Sequence, residues 1–496
     1  MGMPRERWIP LPAFVVLLLA AWFSTGYHSA DEFHQVIAFA GDKVQREPAE
    51  PLPWEYAERI RSAFLPAVAA GVFAAARAVG IHDFSTWALL LRLLTAGSAF
   101  VAVLRFTRTM RAQVPPALQP TFLRLSWFLW FLPFLHVRFT GETWSGLFLL
   151  LALAELFKAQ PARMGHLRAG GLLGLAFLCR PPVVLAVGGL LCWLAIVRKD
   201  TATKLAALAA GFGAAFALGF AVDSWFYGEP VFTAWNYLRR GLEGSPDHDF
   251  MEYPWWYYFP WVIKYALPVI GLPILAATWL LLRFRPRHVL VWMALPFVLF
   301  HVALPHKELR FLYPLADLMP LLLVMGLDIV MRHWPAFTAR IQGKGWITGP
   351  AIVIAAINLV ALACVVFAPA GSGNTRLASY VRSHWPNGGM ELRYLAPQTE
   401  VWRIKIPAWY LPQGITGNVV DDPCISPDPA LAGRSLLIAR EPWPRCADTH
   451  GATWKLALPA IPVWKQYALR AYDWEDAQPC WNLYVQEPGP SDLLSP

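Results

Sequence analysis

Eleven apolar runs, each closed by a polar or basic turn, recur between Trp8 and Pro369 and limit what this chain can fold into. A run of roughly 20 apolar residues is what a helix needs to cross a hydrocarbon core. Lipid leaves the backbone no partner but itself, so such runs become helices. They fall at 8–26, 84–104, 125–138, 143–158, 169–179, 182–197, 204–222, 260–282, 288–304, 310–331 and 346–369. With 56% hydrophobic and 15% charged residues, the composition excludes a soluble protein. The fold class is therefore an all-α polytopic membrane protein, a helical bundle of about 11 transmembrane helices. The run at 62–80, interrupted by Pro66, Gly71 and Arg77, reads as a re-entrant or surface helix, because the loops on its two sides need an odd number of crossings between them.

Charge orients the bundle. A net charge of +9 would point a soluble domain toward nucleic acid, but residues 1–369 hold 31 basic and 21 acidic residues and the remainder holds 11 and 12. The excess lies wholly among the apolar runs, which sets topology and argues against a nucleic-acid partner. Basic loops at 105–124, 158–168, 198–204, 283–287 and 332–344 share one face, read as cytoplasmic. The loop at 27–61, with seven acids and four bases, and the loop at 223–258, with six and two, share the other. The first run reads as an uncleaved span rather than a signal peptide, since His28 stands where a cleavage site after Ala30 wants a small residue. Domain 1–369 is thus the membrane unit. Residues 370–496 lack a spanning run and mix Pro, Trp and balanced charge, as an extracytoplasmic α+β domain would, with strands expected near Ser435–Ile438 and Trp481–Val485. Its cysteines, Cys424, Cys446 and Cys480, permit one disulfide without specifying the pair, and no cysteine has metal-ligand spacing.

Three polar clusters share the outer face. Asp31 and Glu32 follow the first span, and Phe33, Ile37, Ala40 and Val44 then recur at helical spacing, as in a helix lying on the bilayer surface. Asp31 in the first helical turn would stay ionised and could accept a proton from a substrate hydroxyl. Ser29 and Glu32 also have capping-box spacing, so Glu32 either caps the helix or serves the chemistry. Asp223 opens the second outer loop, whose aromatic end Tyr253–Tyr258 suits an interface anchor. His306, Lys307 and Arg310 put three cationic side chains beside a membrane boundary, a set suited to a phosphate or to lipid headgroups.

The stretch His306-Lys307-Glu308-Leu309-Arg310-Phe311-Leu312-Tyr313-Pro314 closely resembles the H-K-E-x-R-F-[LI]-x-P signature of glycosyltransferase family 22, the dolichyl-phosphate-mannose-dependent α-mannosyltransferases. Asp31-Glu32, Trp54-Glu55-Tyr56 with Arg61-Ser62, and Asp223–Gly228 with Phe232, Thr233 and Asn236 fit the same pattern, nearest to the glycosylphosphatidylinositol branch. The resemblance covers most of 8–330 and implies a GT-C fold whose first outer loop carries the catalytic acid. It implies an inverting transfer of a sugar, mannose above all, from a polyprenyl-phosphate donor to a hydroxyl of a glycolipid or glycan acceptor. Asp31, with Glu32 beside it, would be catalytic, and His306, Lys307 and Arg310 would bind donor phosphate. His34, Trp54, Glu55, Arg61, Asp223, Tyr227, Asn236 and Glu308 would line the substrate pocket, although a loop-fastening hydrogen bond serves equally for Asp223 and Tyr227. No metal or other cofactor is called for; besides donor and acceptor, the expected partners are membrane lipids. The Ala-, Leu-, Arg- and Trp-rich composition suggests a bacterial inner membrane with the site facing the periplasm, or the endoplasmic reticulum lumen in a eukaryote. A lipid-linked sugar flippase, or a GT-C enzyme using another lipid-phosphate sugar, would share many of these features. A flippase would instead bring charges near mid-span in both halves.

Overall fold

The apolar runs are helical in the computed structural model, which describes residues 8–44, 52–159, 162–243, 252–336, 348–396, 404–420, 434–440, 453–472, 474 and 480–487. Among these, Phe84–Gln113, Ala202–Tyr227, Leu309–His333 and Gly349–Val366 are long and apolar enough to cross a membrane, and the pair Pro268–Phe284 and Val289–Ala303, bent by 116°, makes a fifth if counted as one span. The chain is therefore a multi-pass membrane protein, with fewer full-length spans than the eleven runs imply. The difference has a local cause. Pro133 lies in a run split into Gln119–Phe128 and Phe131–Leu135, and Leu267 adopts φ 67° just before Pro268, splitting another into Tyr258–Tyr265 and Pro268–Phe284. Proline lacks the amide that would continue a helix across those points. Helix 64–78, from the run at 62–80, has 15 residues, short for a perpendicular crossing.

Small residues let two helices touch through their backbones. A Cβ on Gly170 would stand 1.9 Å from the Leu208 carbonyl oxygen, and one on Gly211 2.0 Å from that of Leu167. Arg163–Cys179 and Ala202–Tyr227 thus pack with nothing between them, the close approach lipid-embedded helices use in place of a hydrophobic driving force.

The C-terminal region holds a five-stranded sheet of order β2-β1-β3-β5-β4, where β1 is Glu391–Leu395, β2 Thr416–Val420, β3 Ser435–Arg440, β4 Thr453–Pro459 and β5 Trp481–Glu487. β1 runs parallel to β2 and β3, and β5 antiparallel to β3 and β4. The mixed sheet and both expected strands match the α+β reading, whereas Cys424 and Cys446 lie outside the described residues.

One hydrophobic cluster joins this region to the first outer loop and to the two helices that follow it: Phe33, Val36, Phe73, Phe84 and Trp87 pack with Leu392, Tyr394, Trp409 and Trp481. Trp409 presses so closely on Gly41 that a Cβ there would fall 1.7 Å from its ring. The helical segment after Asp31 is accordingly buried from Val36 to Gly41. It does not lie open on the bilayer surface, because its apolar face is covered by Trp409 and by the helix Phe64–Ala78.

Candidate active site

Two irregular helices meet where the sequence placed its polar clusters. Glu32–Ile37 is a π-helix, and Leu309–Leu318 is a ten-residue 3-10 helix containing Pro314. Both geometries are uncommon at this length and concentrate at functional positions. In a 3-10 helix residues three apart eclipse one another, so Arg310 and Tyr313 project from one edge. That edge faces His28, Ser29 and Asp31.

Arg310 holds the seam. Its Nη1 lies 2.6 Å from Asp31 Oδ2 and donates to Ser29 Oγ at 3.2 Å. On its other side, Nε and Nη2 donate to both Glu308 oxygens at 2.6 and 2.7 Å, a two-pronged contact. Glu308 also meets His306 Nε2 at 3.3 Å, and its backbone oxygen accepts from Tyr258 Oη at 3.3 Å. Burial would raise the Glu308 carboxyl, but hydrogen bonds from His306 and Arg310 hold it down to about 2. Tyr313 Oη is 3.0 Å from His28 Nε2. Protein crowds the His28 ring, and that burial, with the Arg310 and Arg138 charges, takes it down to about 4; the ring nonetheless stays exposed, as for a side chain lining a cleft. It is uncharged at neutral pH.

Asp31 differs from the carboxylates around it. Among the described residues its ion pair is with Arg310, and its side chain keeps 30% of its surface accessible. Neighbouring Glu32 is buried and accepts the His28 amide at 2.9 Å, one residue off the expected capping box. Burial raises the Glu32 carboxyl, opposed by the nearby Arg138 charge. Arg138 itself binds the carbonyls of Gly26 and Ser24, closing the turn before Asp31.

Lys307 turns away from this seam. It is buried, with Nζ donating to the carbonyls of Val302 at 3.0 Å and of Leu304, so it satisfies the open end of helix Val289–Ala303 instead of presenting its charge to the cleft. His306 remains half-exposed.

The other expected residues form a second cluster. Buried Asp223 accepts from the Ala63 amide at 2.6 Å, Ser62 Oγ at 3.1 Å and Thr233 Oγ1 at 2.5 Å, which fastens the start of helix Phe64–Ala78. Tyr227 donates to the Arg61 carbonyl at 2.8 Å and Asn236 to that of Arg59 at 3.3 Å. Glu55 accepts from Gln35 at 3.0 Å and lies 3.7 Å from Arg61. Trp54 is exposed beneath the Arg240 guanidinium, 5.4 Å from its ring centre, and His34 packs edge-on against Phe33. Gln35 is the link between clusters, since it shares the helical segment that Asp31 begins. These bonds are loop fastenings.

The charges in the turns at 138–143 and 180–182 carried no role in the sequence reading. The structure adds His28, Tyr313, Glu142 and Arg180. The available signal was a lone Glu and a lone Arg interrupting apolar runs. Among the described residues no group of His, Cys, Asp or Glu has metal-binding geometry. The seam can therefore hold a carboxylate base, a neutral imidazole–phenol pair and guanidinium charge around one cleft.

Residues 8–370 match the Alg9-like mannosyltransferase family. GPI mannosyltransferase 3 of Yarrowia lipolytica is 29% identical over 276 residues, 54% of this chain and 52% of that one. Human GPI alpha-1,2-mannosyltransferase 3 is 26% identical over 271 residues, 53% and 47% of the two chains. The chain spans about half the length of the curated relatives it matches. ArnT from Cupriavidus metallidurans, solved bound to undecaprenyl phosphate, is similar with a TM-score of 0.51 over 84% of this chain and 86% of that one, at 13% identity. That likeness is one of fold, and the fold is GT-C-like.

Proposed function

Because the chain belongs to the Alg9-like mannosyltransferase family, we propose that it is an inverting α-mannosyltransferase that moves mannose from a polyprenyl-phosphate donor to a hydroxyl of a mannosylated glycolipid or glycan. The observation that carries the reading is the half-open carboxylate of Asp31, fixed by Arg310 at 2.6 Å inside the family's signature seam.

Asp31 takes the proton of the acceptor hydroxyl as its oxygen bonds to the anomeric carbon. The bond from that carbon to the phosphate oxygen breaks, and the electron pair leaves with the lipid phosphate. Attack from the opposite face inverts the centre, so a β-mannosyl phosphate yields an α-mannoside. His306 and Arg310 offset charge growing on the departing phosphate, the preorganised stabilisation that usually contributes most. Lys307 holds the loop that carries them. Glu32 orients the turn through His28, and the Asp223 cluster shapes the wall of the pocket. In this reading the shorter helices complete an eleven-span bundle in a bacterial inner membrane, with the seam and the 370–496 region facing the periplasm.

The test supplies the purified protein with undecaprenyl phosphate mannose and a panel of mannosylated lipids. Transfer of mannose is expected. Movement of the donor across vesicles without transfer would favour a flippase and overturn the reading.

A further inference from the structure

Arg180 is an unassigned cation beside the seam. It precedes Pro181 and Pro182, and a residue before proline is driven from helical to extended backbone. Its φ of −149° and ψ of 97° end the helix Arg163–Cys179 and turn the side chain off the helix axis. The guanidinium sits 4.8 Å from the centre of the Phe311 ring, the ring that Arg310 approaches to 5.7 Å. His306 lies 5.6 Å from the same centre. Two guanidinium groups and an imidazole thus surround one aromatic side chain.

The two arginines are differently engaged. Arg310 commits donors on all three nitrogens to Glu308, Asp31 and Ser29. Arg180 is only 7% exposed, its ion pair is one long contact from Nη1 to Glu142 at 3.3 Å, and its buried Nε has no partner among the described residues. A buried guanidinium with five donors and so little to donate to is costly unless something else accepts. Arg138 also has a buried, unpartnered Nε, but its other nitrogens close on Ser24 and Gly26 and it serves as a clamp.

Resting on the lipid-phosphate reading above, we propose that Arg180 binds the phosphate of the polyprenyl donor. A fork of N–H donors matches phosphate oxygens in pairs. Glu142 is the resting counter-ion: phosphate displaces its long contact, while Arg310 keeps its contacts to Asp31 and Glu308 and adds its charge from across the Phe311 ring. The same chemistry would admit an ordinary phospholipid headgroup, so the experiment separates the two.

Binding of undecaprenyl phosphate and of uncharged undecaprenol is measured on the full chain in nanodiscs, as wild type, Arg180→Gln, Arg180→Lys and Glu142→Gln. Arg180→Gln is expected to weaken undecaprenyl phosphate by about 10-fold or more and leave undecaprenol unchanged, since a charge-assisted hydrogen bond is lost. Arg180→Lys should fall between. Glu142→Gln should bind undecaprenyl phosphate at least as tightly as wild type, which a purely structural pair would not allow. Equal binding by Arg180→Gln, an equal loss of both lipids, or weaker phosphate binding by Glu142→Gln would each overturn the assignment, the last deciding the matter even if Arg180→Gln fails to fold. Displacement by phosphatidylglycerol at the same concentration as undecaprenyl phosphate would also overturn it. A wild type that binds no undecaprenyl phosphate would instead remove the lipid-phosphate donor itself.

Discussion

Arginine and carboxylate meet at both faces of this bundle, and the two faces use them differently. On the face of the basic loops, Asp328 accepts from Arg285 and from Arg332 at 2.9 Å, and Asp200 from Arg198 and from His166 at 2.8 Å. Both acids are buried, at 7% and 8% side-chain exposure, and each closes helix ends together. At the seam, Asp31 has Arg310 on one side and keeps 30% of its surface open. A carboxylate saturated by cations holds structure. One that is fixed but not filled can still take a proton.

The contrast orders the experiments. Asp31→Asn should lower mannose transfer by about 10²- to 10⁴-fold, the range for loss of a general base, with donor affinity retained; transfer assays beside donor binding check this, and near-normal turnover would move the base elsewhere. Asp328→Asn should do the reverse. Removing the buried carboxylate takes away the counter-charge of Arg285, which is 29% exposed, and costs about 1.5–3 kcal/mol of stability, the range for a hydrogen bond to a charged group, while transfer per folded molecule stays normal, as melting curves and active-fraction assays would report.

Acid should loosen the seam in two steps. His28 stands near 4 in the fold against 6.5 unfolded, so between those values the unfolded chain binds a proton the folded one does not, and stability falls as pH drops through the window. Glu308 stands near 2 against 4.5, so its contribution is full above 4.5 and fades toward 2. His28→Asn should flatten the decline in melting temperature between pH 6.5 and 4 and leave the lower step in place. The smallest effect belongs to Arg332→Ala: an exposed ion-pair partner contributes about 1 kcal/mol or less, and a larger loss by melting would mean that Asp328 depends on it more than on Arg285.

The sequence was most legible where chemistry is local. Asp31 and the run from His306 to Pro314 announced the seam, because charge beside a membrane boundary is rare enough to notice, and the family match bears out the resemblance they carry. Side-chain direction was not legible. Nothing in His-Lys-Glu-Leu-Arg tells that Lys307 folds back onto Val302 while Arg310 reaches forward, since that depends on where helix Val289–Ala303 ends and the 3-10 helix begins. Span length misled for a related reason: apolar composition records lipid or core equally, and Pro133 and Pro268 break runs that hydropathy alone joins. Arg180 was visible as an isolated charge but acquires meaning only through Phe311, about 130 residues further along the chain, which a folded bundle alone brings near.

The most direct measurement of where the sugar is handled is photolabelling by a polyprenyl phosphate mannose that carries a diazirine on its mannose, followed by peptide mapping of the purified protein. The account expects label within residues 27–34 and 304–314, competed by unlabelled donor. Competed label around Asp200 and Asp328 instead would place the sugar at the opposite face and contradict it.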